Sequence, residues 1–476
     1  MRTKHQQHPA KPRAPDTTKQ PSGDGAATHG QMRHETGGAM QEPGVMMAEH
    51  HAMALWVQPV LMILGAWLIA SPATLGYRSA ALTWSDILSG ALVIGLAALA
   101  LSPDRAWAGW ATSFVGAWLL FAPLIFWAPT AAAYLNDTLV GVLVIAFAIL
   151  IPHSMPMQGS DVPPGWSYNP STWLQRAPVI ALGFVGFFLA HYMAAYQLGH
   201  IATAWEPFFG DGTVRILTSE VSRAWPISDA GLGATVYLLE ALMGLMGDKR
   251  RWRTMPWMVT FFGILVVPLG ITSIVLVILQ PLAVGTWCTL CLAAALAMLI
   301  MIPLTLDEVI AMGQFLVQSR REGKSLWRTF WLGGDVPGST EDSRTPRVDS
   351  LASAISPAMV WGVTLPWNLL LSAALGIWLM AAPAVLGNQG AAADSDHLFG
   401  ALMVTFALIA LAEVARTVRY LNIPLGAWIV AAPWLLSGAT PGAKVNGVII
   451  GGLLILLSVL RGKVQERYGS WDRLVV

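Results

Sequence analysis

Cys288 and Cys291 are the only two cysteines among 476 residues, and both fall in the apolar stretch VGTWCTLCLAAALAML (284–299). In a helix, positions i and i+3 share a face, so this pair can reach disulfide geometry. A helix start also favours the thiolate of the first cysteine, the form that attacks disulfides. Pro281 and Gly285 precede the pair and suit such a start. Two other readings stand beside a redox pair. The cysteines could be small packing residues, or half of a zinc site. A zinc site needs four ligands, and only His191 and His200 are near in the expected topology.

The elements that must hold the pair lie in lipid. The chain is 55% hydrophobic and 12% charged, with mean hydropathy +0.56, and soluble domains carry about twice that charge. Twelve apolar runs approach or reach the length of a bilayer core, at 53–70, 83–101, 108–127, 135–152, 177–197, 230–247, 256–280, 283–304, 363–382, 396–412, 424–438 and 446–460. In hydrocarbon they must be helices. The expected fold is therefore an all-α polytopic membrane protein. With a cytoplasmic N-terminus, only Arg78, Arg215, Arg223 and Lys444 of the 28 basic residues face outward. This orientation puts both termini inside and the cysteine pair near the outer face, at a depth of roughly 5–9 Å on its helix. A bacterial inner membrane fits that arrangement. Net charge +1 suggests no nucleic-acid partner, and no cleavable signal peptide is expected.

The first 52 residues read as a disordered cytoplasmic tail. His5, His8, His29, His34, His50 and His51, with Met32, Met40, Met46 and Met47, could hold a soft metal such as Cu(I), although incidental His and Met in a flexible tail explain them as well. Residues 306–355 read as a cytoplasmic linker, 153–176 as a shorter one and 463–476 as a C-terminal tail.

Four segments share the pattern G-x-W-x-x-x-x-P: GAWLIASP (65–72), GAWLLFAP (116–123), GIWLMAAP (376–383) and GAWIVAAP (426–433). An acidic or amide residue and a glycine follow each: Asp86 and Gly90, Asp137 and Gly141, Asp396 and Gly400, Asn446 and Gly451. Each unit supplies two helices, the second with its Asp or Asn placed as an N-cap and its glycine at a close helix contact. The blocks at 53–152 and 356–462 resemble the SPW repeat family, a resemblance that implies no chemistry.

Residues 177–305 break this pattern and resemble the vitamin K epoxide reductase family. LQPLAVGTWCTLC (279–291) is similar to that family's last core helix, whose W-C-x-x-C element is its quinone-facing redox centre. LTSEVSRAWPISDAGLGATVY (217–237) resembles the stretch from the outer loop into the second core helix. The resemblance implies a four-helix module coupling disulfide formation to reduction of a membrane quinone of ubiquinone or menaquinone type, with no metal. It assigns Cys288 and Cys291 as redox centre and Ser222, Asp229 and Trp287 to the quinone; Asp229 reads equally well as a helix N-cap. The loop at 198–228 departs from the family in having no cysteine pair, with Thr218 where one would be expected, and no tyrosine lies one turn beyond Cys291. Either a thioredoxin-like extracytoplasmic partner then addresses Cys288 directly, or the substrate is not a protein thiol, or the activity has been lost. Charged and aromatic loop residues, among them Glu206, Phe208 and Arg215, could form a lid over the pair. The expected function is a membrane thiol–disulfide oxidoreductase. The alternative is a non-enzymatic membrane scaffold with a degenerate redox module.

Overall fold

The computed structural model describes residues 55–105, 107–149, 160–346 and 352–475. The whole His/Met tail, residues 1–52, lies outside them. All twelve apolar runs are helices: α1 (Val57–Thr74), α2 (Ala80–Leu99), α3 (Trp107–Ile125), α4 (Ala131–Ile149), α5 (Trp173–Gln197), α6 (Asp229–Leu245), α7 (Pro256–Leu279), α8 (Thr289–Arg321), α9 (Trp367–Leu386), α10 (Gly390–Ile409), α11 (Asn422–Leu435) and α12 (Pro441–Val459). Ten are long and apolar enough to cross a membrane; α6 and α11, at 17 and 14 residues, fall short by length. The protein is an all-α polytopic membrane protein.

Helices α1–α4 and α9–α12 form two repeat domains on either side of the bundle α5–α8. The repeat glycines explain the pairing within them. A Cβ on Gly90 would come within 2.4 Å of the Gly65 carbonyl, and Gly141 meets Gly116, Gly400 meets Gly376 and Gly451 meets Gly426 in the same way. Backbone touches backbone there, a contact only glycine allows.

The acidic residues of the repeats are not N-caps. Ser79 caps α2 through its side chain, and Thr440 caps α12, whereas Asp86 lies seven positions into α2. The reason is tertiary. Each repeat tryptophan donates its indole N–H to the opposite unit: Trp67 to Asn136 at 2.8 Å, Trp118 to Ser85 at 3.0 Å, Trp378 to Asn446 at 2.9 Å and Trp428 to Ser395 at 3.0 Å. The residue after each acceptor points inward. In the first domain these are Asp86 and Asp137, both fully buried, facing each other beside Tyr77. In the second they are Asp396 and Gly447, so Asn446 corresponds to Asn136, one position before Asp137.

α8 continues past residue 304, where hydropathy alone ends it, to Arg321. Its extension stays helical because partners from distant segments offset its buried charges. Arg251 binds Glu308 at 2.5 Å, and the Tyr168 hydroxyl donates to Asp307 at 2.5 Å. Tyr468 donates to Glu413 at 2.9 Å nearby, and Arg344 pairs with Glu466 at 2.5 Å. These contacts tie the connecting segments and the C-terminal residues to the end of the bundle opposite the cysteines.

Candidate functional site

The cysteines sit at a sharp break between α7 and α8. Pro281 offers no N–H, and α7 ends in a widened π turn over Gln280–Val284. Gly285 closes it at φ 72°, in the left-handed region. Pro281 and Gly285 therefore end α7 instead of starting α8, and α8 begins later than the expected residue 283. Cys288 itself is the N-cap, its Sγ accepting the amide of Cys291 at 3.1 Å. The pair is disulfide-bonded with Cα atoms 5.3 Å apart. It lies at the helix terminus, where the dipole and the free amides favour sulfur carrying negative charge.

Cys288 is completely buried. Gln280 Oε1 accepts its amide at 2.9 Å, and the Thr213 hydroxyl lies 3.5 Å from its Sγ. Thr213 belongs to a short helix, Gly212–Leu217, in the loop after α5. Glu206 fastens this loop over the cysteine: it accepts the Thr213 hydroxyl at 2.6 Å, the Thr289 amide at 2.9 Å and the Thr289 hydroxyl. Burial works to raise the Glu206 carboxyl, yet the hydroxyls of Thr213 and Thr289 and the amides of Thr289 and Phe208 hold it at about 2. Arg215 adds a bond to the Val284 carbonyl at 3.1 Å.

Cys291 faces the other way, onto a cavity of about 130 Å³ between α5, α6, α7, α8 and the loop. Met193, Leu276, Val277, Ala294 and Ala295 make apolar walls; Ser222, Asp229, Tyr237 and Gln280 add polar groups. The Ser222 hydroxyl donates to Asp229 at 2.9 Å. Gln197 Nε2 reaches Ser222 at 2.7 Å and Asp229 at 2.5 Å. Asp229 is the first residue of α6, and Ser228 caps that helix, accepting the Gly231 amide at 2.9 Å. Asp229 lines the cavity, and its Oδ1 also accepts the Ala230 amide at 2.8 Å in the first turn of its own helix.

Of the expected site residues, Ser222, Asp229 and Cys291 line one cavity, with Cys288 bonded behind it. Trp287 is not among the lining residues; its ring lies 5.6 Å from His397 of the second repeat domain. His191 stacks on Tyr134 at 4.5 Å, and the His200 ring nitrogen lies 2.8 Å from the Ala128 carbonyl. Among the described residues no group of three or more His, Cys, Asp or Glu could hold a metal.

This combination of a four-helix bundle, a capped CxxC and a cavity behind its second cysteine agrees with the sequence comparison. Residues 177–306 are a vitamin K epoxide reductase family domain. SPW repeat domains flank it at 55–151 and 366–461. No curated protein and no solved structure matches the chain. Within the vitamin K epoxide reductase family domain, sequence reasoning missed Gln197, Thr213, Gln280 and Tyr237. Tyr237, whose hydroxyl donates to the Ala294 carbonyl at 2.6 Å, was legible as the third member of a stripe at four-residue spacing, Asp229, Gly233 and Tyr237. Gln197, Thr213 and Gln280 reach the site through tertiary contacts that no local spacing announces.

Proposed function

We propose that the protein is a membrane thiol–disulfide oxidoreductase that passes electrons from dithiols outside the membrane to a quinone through Cys288 and Cys291. One observation carries this reading: Cys291 opens onto a cavity with apolar walls and the polar groups of Ser222, Asp229, Tyr237 and Gln280. A flat ring with carbonyl oxygens fits such a lining.

The substrate dithiol first meets Cys288. Because Cys288 is buried under the 204–217 loop, this requires the loop to lift. One substrate thiolate then attacks Cys288 Sγ, the Cys288–Cys291 bond breaks, and Cys291 leaves as the thiolate. The second substrate thiol attacks the mixed disulfide, which releases oxidised substrate and leaves Cys288 reduced. Electrons pass from the dithiol to the quinone, which takes up two protons, and the disulfide forms again. The α8 terminus stabilises charge on Cys288, while Gln197 and Ser222 orient the Asp229 carboxylate toward the cavity. In this reading the cysteine end faces the extracytoplasmic side of a bacterial inner membrane, and a thioredoxin-like protein is the electron donor.

The test is thiol-alkylation gel shifts on membranes with quinone present or depleted. Reduced Cys288 and Cys291 should reoxidise only when quinone is present, and a Cys291→Ser variant should trap a mixed disulfide on Cys288. A pair that stays reduced with quinone, and a variant that captures nothing, would leave a scaffold with packed cysteines.

A further inference from the structure

The end of α8 opposite the cysteines borders a second cavity, of about 450 Å³, lined by Leu316, Val317, Arg320, Leu326, Trp327 and Phe330. The chain leaves α8 at Arg321, turns at Gly323 in the left-handed region (φ 77°), and returns as a short helix, Leu326–Leu332. The cavity lies between the two arms. Five of its six lining residues are apolar, and Trp327 is 74% exposed.

Its depth is set by a chain of tryptophans. Trp331 stacks on Trp257 at 6.2 Å, and Trp257 meets Trp110 edge-on at 4.7 Å. Trp257 and Trp110 lie in the first turns of the spanning helices α7 and α3, the level where tryptophans mark the membrane–water interface. The returning helix therefore lies along that interface, with its apolar side chains available to lipid.

The charge at this place is mostly positive. Arg320, Arg321, Lys324 and Arg328 are all exposed. Lys324 pairs with Glu322 at 2.7 Å, while among the described residues Arg320, Arg321 and Arg328 make no ion pair. A soluble anion would leave five apolar walls unused, a lipid with no phosphate would leave Arg320 without a partner, and a zwitterionic one would bring its cation among Arg321, Lys324 and Arg328. We propose that this groove binds an anionic glycerophospholipid, an acyl chain lying against Leu316, Val317, Leu326, Trp327 and Phe330 and the phosphate resting on Arg320.

Native mass spectrometry of the full chain tests this, with phosphatidylglycerol and phosphatidylcholine of identical chains added in equal amounts. The wild type should retain phosphatidylglycerol preferentially. Arg320→Gln should weaken that preference about fivefold, the worth of one basic residue near an anionic headgroup, and Arg320→Lys should keep most of it. Val317→Trp, which fills the groove, should remove one retained lipid without touching the arginine. No preference in the wild type, or an unchanged preference in Arg320→Gln, would overturn the proposal. Displacement of phosphatidylglycerol by inorganic phosphate would do so too, since it would mean a free-anion site.

Discussion

Glu206 and Thr289 lie 83 residues apart in sequence, and the Thr289 amide donates to Glu206 Oε2 at 2.9 Å while its hydroxyl donates to Oε1. A loop carboxylate thus rests on the first turn of α8, beside the cysteine that caps it. Negative charge is stabilised at that terminus. The same carboxylate draws Thr213 over Cys288, so closing the loop and burying the Cys288 sulfur are one event.

Breaking this contact should expose the cysteine. In fully reduced protein, Glu206→Gln should raise the alkylation rate of Cys288 by about an order of magnitude, the equivalent of one charge-assisted hydrogen bond. Cys291, which faces the cavity, should change little. Equal rates in variant and wild type would mean that other contacts hold the loop.

Acid should act on the same contact. The Glu206 carboxyl sits at about 2 in the closed loop, below its ordinary range near 4.3. A depressed folded value means that the stabilisation is fully present above about 4.5 and is lost as pH falls toward 2. Pepsin cleavage around Phe208–Phe209 should rise across that window in the wild type. In Glu206→Gln it should already be high at the upper end, and a flat wild-type profile would contradict the assignment.

The cavity's polar groups should separate from the cysteines' own chemistry. Asp229→Ala and Tyr237→Phe are expected to slow quinone-dependent reoxidation of the dithiol by about tenfold each, as for a lost hydrogen bond of about 1.4 kcal/mol. Oxidation by a small soluble disulfide should be unaffected. Parallel losses with both oxidants would point to damage at the cysteines instead.

Gly90→Leu should destabilise the first repeat domain by about 1–3 kcal/mol or more, because the atom in its way is the Gly65 carbonyl, which cannot swing aside. Gly95, on the same helix with nothing near its Cβ position, supplies the comparison. Thermal unfolding of Gly95→Leu should match the wild type. Similar midpoints for both variants would place Gly90 against lipid.

Much of this architecture was legible because lipid enforces simple rules. Each apolar run had to be a helix, and each repeat glycine marked a backbone contact. The Cys-x-x-Cys spacing marked the site for the same kind of local reason. What escaped was set by partners distant in sequence. Asp307 and Glu308 lowered the hydropathy of α8 and hid its extension, because Tyr168 and Arg251 are invisible to a local window. Asp86 looked like a helix cap for want of any sign that Trp118 holds its neighbour Ser85. Trp287 was assigned through the W-C-x-x-C resemblance, and its ring instead meets His397 across the domain boundary.

The glycine at 447 makes the two halves of the molecule non-interchangeable. A chimera carrying the first domain's α4 in place of α12 would bring a second carboxyl toward Asp396, at a place where even a Cβ meets the Ile429 carbonyl at 2.8 Å. The reverse exchange would leave Asp86 opposite a gap. Duplicated modules that began alike have thereby become locked to their places in the chain, and shuffling them should yield protein that fails to assemble although every transplanted helix keeps its hydropathy.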